Sequence, residues 1–122
     1  MTSVLIVDDS ATARMMLRHW IQHIKADFKI VEADSGEAAL ECLRKLPPGR
    51  NLAIVDYNMP GMTGLELVDQ LLQHIPPGHI ALCTANLQDA IRNRALGKGI
   101  HYVAKPINLA KLSKLFGEMK LS

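Results

Sequence analysis

The chain has 122 residues, a formal net charge of +2 and a hydrophobic fraction of 48%. This length supports one compact domain and is short for two, so we expect residues 1–122 to form a single domain. The charged fraction of 21% is typical of a folded globular protein and excludes a disordered chain. Because the charge is small and no basic stripe surrounds the aromatic residues, we expect no direct binding to nucleic acid.

The chain shows neither a membrane span nor a secretory leader. Its apolar runs are far shorter than the roughly 20 residues that cross a bilayer, and its first residues lack a basic start. We therefore expect no membrane partner and a cytoplasmic location. Cys42 lies in a helix-like stretch and Cys83 in a strand-like run, which favours buried, reduced thiols over a disulfide.

Five short apolar runs alternate with amphipathic stretches along the chain. Most of the runs are rich in β-branched residues, a pattern typical of strands buried on both faces. These predicted strands cover residues 4–7, 28–33, 52–55, 80–83 and 100–104.

The stretch after the first predicted strand has the periodicity of an amphipathic helix. Apolar residues including Leu17, Trp20 and Ile21 recur at helical spacing and predict one buried face. Arg14 and Arg18 are then expected on the solvent side. Four more helices are predicted: one from about Ser35 to Leu46, one through residues 65–72, one from about Leu87 to near Gly97, and one after the N-cap Asn108.

Strands that alternate with helices of this length predict an α/β fold, with a five-stranded parallel sheet and helices on both faces. Ligands of such sheets bind outside the carboxyl ends of the strands. The predicted strand ends carry, in chain order, Asp8 and Asp9, then Asp56, then Thr84, then Lys105. These side chains are therefore the candidates for chemistry.

Three carboxylates at one sheet edge repel one another unless a cation lies between them. Mg²⁺ fits, because it takes oxygen ligands from one or two carboxylates together with water and phosphate. Asp9, Asp56, a backbone carbonyl and a phosphoryl oxygen would complete its shell. The alternative is that Asp8 or Asp9 only caps the first helix, and that Asp56 only begins a turn.

Three of these side chains suit phosphoryl transfer. Asp56 lies between a strand and a turn-rich loop, and a carboxylate can attack a phosphoryl donor when cations neutralise the transferred group. Lys105, before Pro106, could pair with the carboxylates and with a phosphoryl oxygen, and Thr84 could donate its hydroxyl. Taken singly, Lys105 fits an ordinary solvated lysine, and Thr84 fits a strand-end or cap hydroxyl.

Four segments together resemble the response-regulator receiver family, and specifically its CheY-like single-domain members. They are residues 4–10 (VLIVDDS), 56–64 (DYNMPGMTG), 84–85 (TA) and 102–106 (YVAKP). The resemblance extends over essentially the whole chain. It implies a flavodoxin-like sheet with the strand order 2-1-3-4-5.

The resemblance also implies the ligand set and the reaction. Asp56 would be the phosphoacceptor, and Mg²⁺ would bind Asp9, Asp56 and the backbone carbonyl of Asn58. Asp8 would act on the metal through a water molecule. The chain would then be a signalling switch that catalyses only its own phosphorylation and dephosphorylation.

The remaining implied roles concern recognition and output. Thr84 and Lys105 would contact the phosphoryl group, and Tyr102 would report it. The donor would be a histidine kinase or a histidine phosphotransfer protein of a two-component system, with chemotaxis as one possible pathway. A downstream target would bind the face of helix four, strand five and helix five, where five basic residues favour an acidic partner: Arg92, Arg94, Lys98, Lys111 and Lys114.

Two other functions fit parts of the pattern. A small Mg²⁺-dependent phosphatase could use Asp56 as its nucleophile, but Asn58 cannot supply the proton that such an enzyme needs. A receiver cut from a longer regulator or hybrid kinase fits equally well. His19 and His23 are spaced for zinc, but they have no third ligand nearby in sequence.

Overall fold

The computed structural model describes residues 1–85 and 88–120. Its five parallel strands form one sheet with the order β2-β1-β3-β4-β5, which confirms the predicted α/β fold and strand order. Each strand lies within two residues of its predicted bounds. The strands are β1 (Thr2–Val7), β2 (Lys29–Ala33), β3 (Arg50–Asp56), β4 (Ile80–Thr84) and β5 (His101–Ala104).

Five α-helices connect the strands, and a short 3₁₀ helix (Pro77–His79) leads into β4. The predicted start of the fourth helix, near Leu87, lies outside the described residues. No helix in the described part of the chain is long and apolar enough to cross a membrane. The helices are α1 (Ala11–Ile24), α2 (Gly36–Arg44), α3 (Gly64–Leu71), α4 (Asp89–Gly97) and α5 (Leu109–Glu118).

The sheet separates two apolar cores. Helices α2, α3 and α4 pack over one face, where Leu67, Leu71 and Leu82 are fully buried. Helices α1 and α5 cover the other face, where the rings of Phe28 and Phe116 meet at a tilted angle with centroids 6.0 Å apart. The alternation of side chains along each strand divides the apolar residues between the two cores.

The strands are not buried equally. Those of the centre, β1, β3 and β4, are almost wholly buried, whereas β5 is half-exposed throughout and most of β2 is half-exposed or exposed. The expectation of strands buried on both faces is therefore wrong for β2 and β5. The reason is topological, because these two strands form the edges of the sheet.

Side-chain caps determine where four of the helices begin. Ser10, Ser35 and Asn108 each accept a hydrogen bond from a backbone N–H three residues later. Since Ser10 caps α1, the alternative that Asp8 or Asp9 serves only as its cap is wrong. Thr63 and Glu66 form a reciprocal capping box at α3, which the sequence pattern Thr-x-x-Glu could have predicted.

Both cysteines are free thiols, which confirms the expectation that they form no disulfide. Cys83 is buried in β4, and Cys42 is half-buried. Burial raises the pKa of the Cys83 thiol to about 12, so the group stays protonated and does not react as a thiolate.

Gly64 allows α3 to approach the end of β3 closely. A Cβ atom at this position would lie 2.5 Å from the backbone oxygen of Asp56 and 2.8 Å from the Cα of Tyr57. The amide of Gly64 donates to the Tyr57 carbonyl at 3.0 Å. A side chain here would therefore push α3 away from the loop that follows Asp56.

We predict that Gly64→Ala lowers the free energy of unfolding by about 2 kcal/mol, the cost of inserting a methyl group into a packed site. Gly117→Ala is the matched control, because a Cβ there would meet no atom within 4 Å. It should leave stability unchanged or raise it by up to about 1 kcal/mol. Urea unfolding measures both; equal stabilities of the two variants would contradict the packing argument.

Candidate functional site

Three carboxylates converge at the carboxyl edge of the sheet, as the sequence predicted. Val7 and Val55 are paired in the register of β1 and β3, so Asp8 and Asp56 follow at neighbouring positions. One oxygen from each of Asp8, Asp9 and Asp56 lies within 4.8 Å of the others. Asp8 and Asp56 are buried, with 3% and 5% of their surface exposed, whereas Asp9 is exposed.

Lys105 bridges the two buried carboxylates. Its Nζ lies 3.1 Å from Oδ2 of Asp8 and 3.1 Å from Oδ1 of Asp56. The backbone N–H of Lys105 donates to the Thr84 carbonyl at 2.9 Å, and the peptide bond to Pro106 is cis. The interpretation of Lys105 as a solvated lysine is therefore wrong.

Burial and charge shift the pKa values of this pair. Burial raises the pKa of Asp56, assisted by the charge of Asp8 and only partly offset by the bond and charge of Lys105. Burial alone would lower the pKa of Lys105, but its bonds and charge interactions with Asp56 and Asp8 outweigh this and raise it. Lys105 is thus held as an ammonium ion.

The donor set suits a divalent cation. Three carboxylates against one ammonium leave a formal charge of minus two, which one divalent cation neutralises. Oxygen-only ligands are what Mg²⁺ requires. Across residues 1–85 and 88–120 this is the one such group of three acidic, histidine or cysteine side chains, and it includes neither His19 nor His23.

The three carboxylates are not equivalent. Asp8 already accepts two hydrogen bonds, from the amide of Ser10 at 2.9 Å and from Lys105 at 3.1 Å. Asp56 accepts from the amide of Asn58 at 3.4 Å as well as from Lys105. Asp9 is exposed at the edge of the group, so its carboxylate is the most accessible to an ion.

Thr84 and Tyr102 lie on the same face of neighbouring strands. Thr84 is paired with Ala104, and Tyr102 with Leu82, so the two side chains are diagonal neighbours. Thr84 is fully buried at the end of β4. Tyr102 is half-buried and packs against the core below α3 and α4.

An apolar groove adjoins the carboxylates on the α1 side. It encloses about 210 Å³, and Asp8 and Lys105 form its polar end. The side chain of Trp20 lines the same groove, so its fluorescence is a natural reporter of changes at the site. The other residues of the lining are Ala13, Met16, Leu17, Pro106 and Ile107.

Arg14 also belongs to the site, although the sequence pattern predicted it on the solvent side of α1. Its Nη1 donates to the Asp8 carbonyl at 2.6 Å and its Nε to Glu32 at 3.1 Å, leaving 17% of the side chain exposed. Glu32 also binds Arg18. The acidic residue Glu32, between the apolar residues Val31 and Ala33 of the predicted strand, was the signal that could have indicated this network.

The predicted basic face is smaller than its sequence suggests. Lys98 forms an ion pair with Asp69 of α3. Lys111 donates to the backbone carbonyls of Ala104 and Pro106. The remaining members are exposed to solvent: Arg92, Arg94 and Lys114.

A family model and several known proteins match the sequence of this chain. The family model described as "Response regulator receiver domain" matches residues 4–116. The chemotaxis protein CheY of Thermotoga maritima is 32% identical over 111 residues, 89% of this chain and 89% of that protein. The cyclic di-GMP phosphodiesterase response regulator RpfG of Xanthomonas campestris is 39% identical over 116 residues, but this chain spans only 29% of its length.

Solved structures with 27% and 28% sequence identity to this chain have the same fold. The chemotaxis response regulator CheY4 of Vibrio cholerae superposes with a TM-score of 0.79 at 28% identity, covering 98% of each chain. The response regulator TrrA of Thermotoga maritima, in complex with Mg²⁺ and BeF, gives a TM-score of 0.78 at 27% identity, covering 98% of this chain and 99% of that one. The chain belongs to the response regulator receiver family, and it is a CheY-like receiver domain of the kind that acts as a switch in two-component signalling.

Proposed function

We propose that the chain accepts a phosphoryl group on Asp56 from a phosphohistidine of a histidine kinase or phosphotransfer protein, and then changes its affinity for a target. The position of Asp56 carries this proposal. Its carboxylate is buried at the centre of the site, 3.1 Å from the ammonium of Lys105 and grouped with Asp8 and Asp9. Asp8 shares these features, but hydrogen bonds from Ser10 and Lys105 engage both of its oxygens, whereas the bonds to Asp56 from Asn58 and Lys105 both fall on Oδ1.

The reaction transfers one phosphoryl group between two nucleophiles. An Asp56 carboxylate oxygen attacks phosphorus, a P–O bond forms, and the P–N bond of phosphohistidine breaks while its electron pair returns to the imidazole. Mg²⁺ bound by Asp9, Asp56 and the Asn58 carbonyl would neutralise charge on the transferred group. Lys105 and the Thr84 hydroxyl would then bind phosphoryl oxygens.

The proposal extends to the whole chain and its location. We assign residues 1–122 to the receiver domain, since β1 starts at Thr2 and α5 runs to Glu118. A stand-alone regulator and a receiver within a longer protein both accommodate this domain. The cytoplasmic location expected from the sequence stays a prediction.

The output would pass through Thr84 and Tyr102. A hydroxyl drawn toward the phosphoryl group vacates space beside β5, and the neighbouring ring of Tyr102 can enter it. Such a change affects binding only if a partner distinguishes the two ring positions. The partner would therefore bind α4, β5 and α5, and the exposed Arg92, Arg94 and Lys114 favour an acidic segment whose binding weakens with salt.

We predict that acetyl phosphate with Mg²⁺ adds one phosphoryl group to the wild-type chain and none to Asp56→Asn. Intact-mass spectrometry measures the product. Asp34→Ala is the control, because this exposed carboxylate also follows a strand but lies outside the cluster. Labelling that persists in Asp56→Asn or after chelation of divalent ions would exclude the assignment, and sustained turnover of a chromogenic phosphate ester would favour a phosphatase.

We predict that Asp9→Ala weakens Mg²⁺ binding more than Asp8→Ala does. Asp9 is free to bind the ion directly, whereas both Asp8 oxygens are engaged by Ser10 and Lys105. Asp8→Ala should lower the affinity roughly tenfold, as is typical of a residue that acts through a ligand, and Asp9→Ala should lower it further. Titration followed by Trp20 fluorescence measures both, and equal losses would contradict this division of roles.

We predict that beryllofluoride with Mg²⁺ shifts the NMR signals of Thr84, Tyr102 and Lys111 as well as those of the metal loops. The shifts at β5 and α5 should disappear in Thr84→Ala, because this variant has no hydroxyl that could move toward the phosphoryl group and vacate space for the ring of Tyr102. If they persist in that variant, or if the shifts of the wild type stay within the metal loops, the proposed route from phosphate to target is wrong.

A further inference from the structure

Lys111 lies in the first turn of α5, and its side chain turns back toward the end of β5. Its own amide completes the helix cap by donating to Oδ1 of Asn108 at 2.8 Å. Its Nζ donates to the carbonyl of Ala104 at 2.8 Å and to that of Pro106 at 2.9 Å. These two carbonyls belong to the residues on either side of Lys105.

Neither the stability of the helix nor contact with solvent explains why a lysine lies at this position. A positive charge near the N-terminus of a helix opposes the helix dipole, so the first turn is an unfavourable position for lysine. Most lysines are exposed, whereas Lys111 is half-buried. Two charge-assisted hydrogen bonds to one short loop compensate for both effects.

We propose that Lys111 is a positioning residue for Lys105. Its ammonium holds the backbone on both sides of Lys105 and so fixes the point from which that side chain reaches Asp8 and Asp56. This inference rests on the proposed function, in which Lys105 binds the transferred phosphoryl group. It assigns Lys111 a role inside the domain instead of on the partner surface.

The geometry of the loop shows why such a support is needed. Lys105 follows an edge strand that is half-exposed throughout. On its sheet side the loop is held by the bond from the Lys105 amide to the Thr84 carbonyl, 2.9 Å long. Lys111 supplies the support on the α5 side. Because one ammonium lies 3.1 Å from two carboxylates at once, a shift of this backbone has to be matched by the Lys105 side chain if both contacts are to be kept.

The test compares Lys111→Met with Lys111→Arg and Lys45→Met. Methionine keeps an unbranched side chain that is slightly shorter than that of lysine and cannot donate, whereas arginine keeps both a charge and donor groups. Lys45, an exposed residue that follows α2, controls for the loss of one positive charge. Each purified full chain is first checked by urea unfolding, and Lys111→Leu, which also lacks a donor, replaces the Met variant if that protein does not fold.

The first readout is the rate of Asp56 phosphorylation by acetyl phosphate at saturating Mg²⁺. Lys111→Met should lower this rate about tenfold, since misplacing a reacting group by about 1 Å can cost up to about 100-fold. Lys111→Arg should restore most of it, and Lys45→Met should match the wild type. A wild-type rate in folded Lys111→Met, or no rescue by arginine, would overturn the proposal.

The second readout is the amide and side-chain NMR signals of Lys105 in the unphosphorylated protein. They should move in Lys111→Met and keep their positions in Lys45→Met. If the wild type is not phosphorylated but these signals move, the proposed function fails and the positioning role stands. If the wild type is phosphorylated and the signals do not move, the positioning role fails and the proposed function stands.

Discussion

The concentration of negative charge at one edge of the sheet is the constraint on which the rest of the structure depends. Asp8 and Asp56 are buried side by side, and the ammonium of Lys105 bridges them. Removing such charges from water is costly unless their partners are placed well. The placement requires β1, β3 and β5 to end at the same level, although β5 is separated from β3 by β4. The two apolar cores supply the stability that holds these strand ends in register.

The side chains of the site are attached to two different kinds of strand. The carboxylates that would hold a metal ion and accept the phosphoryl group follow the buried central strands β1 and β3. Lys105 instead follows an edge strand, and the loop after it depends on side-chain support from Lys111. The group that would bind the phosphoryl charge therefore follows a strand that has only one neighbour in the sheet, whereas the carboxylates follow strands with two. Under the proposed function, a local change of charge would then be transmitted to α4, β5 and α5, while the carboxylates on the central strands would keep their geometry.

The sequence predicted the alternating elements and the convergence of Asp8, Asp9 and Asp56, because strand ends are visible in hydrophobic patterns and parallel strands end at one edge. The strand order came from the family resemblance, since periodicity carries no information about which strands are neighbours. For the same reason the apolar run before Lys105 was interpreted as a fully buried strand, whereas β5 lies at the edge. Arg14 was misplaced because helical periodicity does not show that Glu32 lies across from it. No local sequence pattern indicated the bonds of Lys111, since its partners are backbone carbonyls.

Basic side chains that are bonded within the domain also limit how charge could select a partner. Lys98 and Lys111, two of the five basic residues of the predicted face, are bound to Asp69 and to loop carbonyls. The three that stay exposed carry less charge than the five together, and interactions between exposed charges are screened by physiological salt over about 8 Å. Charge can then steer an acidic segment toward the domain but contributes little to discrimination between signalling states. Under the proposed function, discrimination would have to come from shape, and the half-buried ring of Tyr102, a diagonal neighbour of Thr84, is the side chain whose position the site would change.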